Sequence, residues 1–149
     1  MYRGHAEDAV FMEGSKAELD PGELKALNAL LQSLPASFGG TLTAHMKRKH
    51  FTDMRLADAT LLSDKTIRNY RNSPFGQVLL STSVALCVGL HLHPVLSYNM
   101  VDKTSNKFIP TLEHTAYQII LQTMTFKTIY ECNDFLKSLG IRPLTGKEE

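Results

Sequence analysis

Along most of the chain, apolar residues return at intervals of three and four, the spacing of one face of an α-helix. Leu24, Leu27, Leu31 and Leu34 make the first such stripe. Before it, Asp20, Pro21, Gly22 and Glu23 read as a helix start, with Asp as N-cap, Pro at the first helical position and Glu placed to close a capping box. Pro35 and the SFGG stretch are expected to end that helix and supply a short linker. Residues 1–19 show no sustained period and are expected to be irregular.

From Thr41 the expected helices are short and closely spaced. Leu42 and Met46 mark one that ends in Lys47, Arg48 and Lys49. Thr52 can cap a second, 52–60, with Leu56 and Ala57 inward; Ser63 can cap a third, 63–72, with Ile67 and Tyr70 inward. Residues 77–90 are apolar nearly all round, the pattern of a central buried helix. Pro94 suits the first turn of the next, which turns Leu96, Met100 and Val101 inward. Residues 112–124 place Leu112, Ala116, Ile120 and Met124 on one face with Tyr117 and Leu121 beside them. Residues 128–139 do the same with Ile129, Cys132, Phe135, Leu136 and Leu139, and Gly140 is a natural left-handed stop. No period-two alternation and no internal repeat stand out, so the expected fold class is all-α.

The chain has 149 residues, 43% hydrophobic and 21% charged, which suits one compact domain with a core or a small domain plus a helical attachment. Cys87 and Cys132 lie far apart in apolar surroundings, outside any CxxC pair, and read as reduced core thiols of a cytoplasmic protein. The apolar run from Val78 to Leu92 is interrupted by Ser, Thr, Gly and His and is too short to span a membrane; no leader is expected. Charge changes the picture more. Residues 1–40 carry three Lys or Arg against six Asp or Glu, residues 41–72 seven against three, and residues 73–149 six against six. A basic excess confined to one short segment is a footprint for an anionic partner, or a solvated face.

Within that segment lie two short helices joined by Leu61 and Leu62. A steep crossing of two such helices needs a small residue on the first and a branched apolar residue on the second, and Ala57 and Ile67 supply them. The second helix then turns Asp64, Lys65, Arg68, Asn69 and Asn72 outward together. In a major groove Lys or Arg can donate to guanine and Asn can pair with adenine. The string FTDMRLADATLLSDKTIRNYRN resembles the lambda-repressor-like, or Xre-type, helix-turn-helix family through Thr52, Leu56, Ala57, Leu62, Ser63, Thr66, Ile67 and Asn72. The likeness extends over residues 41–105. It implies a five-helix DNA-binding domain there, flanked by an N-terminal segment with one amphipathic helix (1–40) and a C-terminal helical extension (106–149). The segment AYQIILQTMTFKTIYECNDFLKSLGIRPL is similar to the extension of regulators from mobile elements and prophages, some of which are associated with ImmA/IrrE-type peptidases.

What the resemblance implies is a sequence-specific, repressor-like transcriptional regulator of a bacterial mobile element or prophage, whose partner is double-stranded DNA. It places groove-reading positions at Asp64, Lys65, Arg68 and Asn69, Thr66 at the groove mouth, and phosphate positions near Thr52, Ser73 and Gln77. Three residues depart from the pattern. Asp53 and Asp64 bring negative charge to the groove, and Leu61 stands where the turn usually has Gly. Lys47, Arg48 and Lys49 read either as a solvated helix end or as phosphate contacts, and Arg71 as a phosphate contact or an exposed side chain. HExxH is absent, and His45, His50, His91 and His93 lack ligand spacing, so structural or solvent-exposed roles are expected rather than a metal. Cys132 falls on an apolar stripe, and no phosphate loop or acid–base pair is evident; neither enzymatic activity nor a cofactor is expected. The apolar faces of 24–34 and 112–139 read as core or, since palindromic sites are read by two-fold dimers, as a homodimer interface. The alternative reading is a protein-interaction module, an antitoxin or regulatory partner of a peptidase system, with weak or no DNA binding; Asp53 and Asp64 favour it.

Overall fold

The computed structural model describes residues 11–14, 17–73 and 77–146. Among them the chain forms eight helices and no strand, an all-α fold: α1 (Pro21–Ser33), α2 (Phe38–Arg48), α3 (Asp53–Thr60), α4 (Asp64–Asn72), α5 (Leu80–Gly89), α6 (Pro94–Asp102), α7 (Leu112–Thr123) and α8 (Ile129–Ser138). None is long and apolar enough to cross a membrane.

Most helix starts are written locally. Asp20 and Glu23 exchange both hydrogen bonds of a capping box at 2.8 and 2.9 Å, ahead of Pro21. Ser37, Thr52, Ser63, Thr111 and Thr128 each accept a first-turn amide. The ends of α2, α5 and α8 share one device. A left-handed residue (His50, His91 or Gly140) follows the last turn, and its N–H and the next one return to carbonyls of that turn.

Helix α5 is the hub, buried over almost its whole length and packed against α3, α6, α7 and α8. The apolar core around it runs through Leu27, Phe38, Leu42, Met46, Leu56, Ile67, Leu96, Met100, Ile120 and Leu136. Two glycines permit close crossings. A Cβ on Gly89 would collide with the Thr60 methyl, where α5 meets α3, and one on Gly39 would stand 2.6–2.9 Å from the carbonyl oxygens of Tyr70, Arg71 and Ser73, where α2 meets the end of α4.

Several expectations are corrected. The FGG of SFGG opens α2 rather than forming a linker, because Ser37 caps there and Phe38 is buried, so α2 runs across residue 41. Leu24, Leu112 and Leu139 are exposed. In each case the apolar stripe is wider than the neighbour that covers it; on α1 only Ala26 and Leu27 are buried. The irregular reading of residues 1–19 lies outside the described residues for 1–10 and 15–16. The rest of that segment is irregular and packed at particular points, with Phe11 buried edge-on against His93 and the His93 ring Nε2 2.7 Å from the Ala17 carbonyl.

Candidate nucleic-acid interface

Helix α4 has one locked face and one free face. Ile67 is wholly buried and Tyr70 half-buried, holding the helix against α2 and α3. Lys65, Arg68, Asn69 and Asn72 are exposed and fall at successive three- and four-residue steps, so they form one outward stripe. Ser63 Oγ receives the Thr66 amide at 3.0 Å and shares a 2.8 Å hydrogen bond with the Thr66 hydroxyl, so both hydroxyls are oriented at the helix N-terminus. Thr66 is half-buried there. Thr52, at the start of α3, is exposed and caps through the Arg55 amide at 3.0 Å. Ser73 closes α4 by donating its backbone N–H to the Tyr70 carbonyl, and Gln77 is exposed beyond it.

The cations of the basic segment are less available than a count along the chain implies. Arg48 forms a two-pronged pair with Glu13, at 2.8 and 2.9 Å, and Lys49 approaches the same carboxylate at 3.5 Å while donating to the His91 carbonyl. The expectation of a solvated helix end is therefore corrected for these two residues. The Glu13 carboxylate, 35 positions before Arg48 and with only 3% of its side chain exposed, engages both. Burial by itself would raise the Glu13 carboxyl, but the Arg48 hydrogen bond and charge, with the Lys49 charge and the His93 amide, hold it below its ordinary value. Lys47 remains exposed.

Arg71 is not simply exposed, since it donates to Asp53 at 2.7 Å and to Thr43 at 3.2 Å and ties the end of α4 to α2 and α3. Asp53 is thereby neutralised and adds no bare negative charge. Asp64 pairs with Arg68 at 2.9 Å across one turn, both about half exposed, and that hydrogen bond draws the carboxyl below its ordinary value. An exposed pair of this kind exchanges readily for a stronger partner. Arg55 lies over the Phe51 ring at 4.2 Å and donates to the His50 carbonyl.

The histidines are largely structural. His45 is buried; its Nδ1 accepts from Arg48 Nε at 3.0 Å, which puts the proton on Nε2, and that nitrogen has no partner among the described residues. His93 is buried, and His91 Nδ1 lies 2.8 Å from the Thr125 carbonyl. Among the described residues no group of His, Cys, Asp and Glu is placed to hold a metal. Cys87 and Cys132 are buried free thiols, each pushed up to about 12 by burial.

The turn between α3 and α4 keeps the left-handed conformation at Leu61, with φ of 63°, at roughly 1–2 kcal/mol for a residue with a Cβ. What sequence reasoning missed here is the packing of the distant C-terminal segment against this turn. Thr145 donates its hydroxyl to the Thr60 carbonyl, and no local signal near residue 145 announces that contact. No family model, curated protein or solved structure matches the chain.

Proposed function

We propose that the chain is a sequence-specific double-stranded DNA-binding regulator, repressor-like in kind and belonging to a bacterial mobile element or prophage. In this reading α2–α6 are the five helices of a lambda-repressor-like domain and α4 is the element that enters the major groove. The observation that carries the reading is α4 itself: a helix held from behind by buried Ile67 whose outward stripe is Lys65, Arg68, Asn69 and Asn72. Lys and Arg at such positions donate to guanine, and Asn offers the paired donor and acceptor that adenine presents. Thr52, Thr66, Ser73 and Gln77 supply the surrounding phosphate and groove-mouth positions.

Selection from random duplex DNA, followed by a salt titration on the best sequence, tests it. Binding should weaken steeply with salt, and Arg68→Ala or Asn69→Ala should relax the sequence preference at one base position, each by about 1–3 kcal/mol of discrimination. Equal preference in wild type and both variants would remove α4 as the reader.

A second reading is supported by the ion pairs. With Arg48 and Lys49 turned to Glu13 and Arg71 to Asp53, the electrostatic footprint is smaller than the sequence count. A protein-interaction module, an antitoxin or the regulatory partner of a peptidase, needs no such footprint. Failure to shift any DNA at low salt would favour it.

A further inference from the structure

The end of α3 departs from the other helix ends. Each of the other seven returns the N–H of its C-cap residue to a carbonyl of its last turn; for Leu61 no such bond exists among the described residues. The left-handed residues His50, His91 and Gly140 sit in turns closed by two backbone bonds, whereas Leu61 does not. Carbonyls at a helix end need a donor from somewhere. The donor for Thr60 comes from 85 positions away, the Thr145 hydroxyl. Thr60 is wholly buried, its own hydroxyl donates to the Leu56 carbonyl at 2.7 Å, and the Leu62 N–H donates to that hydroxyl at 3.3 Å.

The segment that brings Thr145 there is itself fixed. The Asn133 side chain on α8 accepts from the Leu144 amide at 2.9 Å and donates to the Thr145 carbonyl at 3.3 Å, in effect pairing with the backbone at both ends. Leu144 is buried in the core, and the backbone of Gly146 lies so close to the Leu61 side chain that a Cβ there would be 3.3 Å from Leu61 Cδ1. The tail thus touches the turn twice, at the carbonyl before the left-handed residue and at that residue's side chain.

We infer that residues 144–146, held by Asn133, are a strut that fixes the α3–α4 turn, with Thr145 a positioning residue for α4. Helix α4 starts three residues after Leu61, so the geometry of that turn sets the angle at which the outward stripe is presented. The C-terminal extension is then a working part of the reading unit rather than an appendage. The effect on reading rests on the DNA-binding proposal; the hold on the turn does not.

The test is a double-mutant cycle on the full chain, Thr145→Val with Leu61→Gly, read by urea unfolding and by hydrogen exchange of the Leu62 amide. Thr145→Val should lower the folded-to-unfolded ratio about 5- to 30-fold. Thr145→Ser, which keeps the hydroxyl, should stay within about twofold, as a surviving hydrogen bond requires. With Gly at 61 the turn relaxes without strain, and the loss from Thr145→Val should shrink to under about threefold. Losses that multiply unchanged across the two backgrounds overturn the strut, whether or not the chain binds DNA. If the losses couple and the wild type binds no DNA, the DNA reading falls and the strut stands. Where DNA is bound, Thr145→Val should reduce preference for the selected sequence over random DNA and leave the salt dependence unchanged. An unchanged preference overturns the assignment of Thr145 as a positioning residue for α4.

Discussion

Replacing Glu13 by Gln keeps the shape of the side chain and removes the charge that faces Arg48 and Lys49. Those two cations would then confront each other with side chains only 14% and 17% exposed. Breaking one partner out of a buried ion pair costs about 3–5 kcal/mol when the remaining charge is fully enclosed. Here both cations keep a path to water, so the expected loss is smaller, about 2–3 kcal/mol, or a fall of roughly 4–12 °C in Tm for a chain of this size. Urea unfolding at neutral pH measures it. The same pair predicts an acid limb. Because the folded Glu13 carboxyl lies below its ordinary 4.5, its contribution is complete above that pH and is lost as pH falls through the lower folded value. Glu13→Gln should lack this part of the acid loss. A variant within about 0.5 kcal/mol of wild type at neutral pH, the range of ordinary surface substitutions, would refute the pin and return Arg48 and Lys49 to the pool of available cations.

Three further outcomes are expected. His45 is pushed down to about 3, first by burial and then by the Arg48 charge, with Glu13 opposing. The unfolded chain therefore takes up a proton that the folded one refuses, and stability should fall from pH 6.5 towards about 3 by up to about 1.4 kcal/mol per pH unit. His45→Gln should flatten that limb in urea melts at pH 7, 6 and 5. Gly39→Ala sets a Cβ against three backbone carbonyls of the α4 end, so thermal melts should show a loss of about 1–3 kcal/mol, the range for overpacking; a neutral result would place α4 further from α2 than found. Both cysteines should resist a thiol reagent at pH 8 until denaturant is added, since burial keeps them protonated. Rapid labelling of native protein would contradict that.

Most helix starts were determined by the sequence, because a cap joins residues no more than four apart, whereas the uncapped start of α5 and the end of α3 were not. Asp20 with Glu23, Thr52 with Arg55, Ser63 with Thr66, and Gly140 after α8 all stand in the structure as the residue types require. The two faces of α4 were equally legible, since a period of 3.6 separates Ile67 from Lys65, Arg68 and Asn69 without reference to any neighbour. How wide an inward stripe becomes is a different matter. Leu24 and Leu112 fit the period and are exposed, because only the packing partner decides where burial stops.

Charge and turn geometry were decided by tertiary contacts. Counting along the chain assigned Arg48, Lys49 and Arg71 to a basic segment, but an ion pair needs two groups close in space, and Glu13 and Asp53 reach them from 35 and 18 positions away. Leu61 holds a left-handed turn that its side chain disfavours, with its neighbouring carbonyl satisfied from the far end of the described chain. Local propensity acts within a few residues. Neutralising a buried charge or completing an unfinished turn calls on whichever segment the fold brings near.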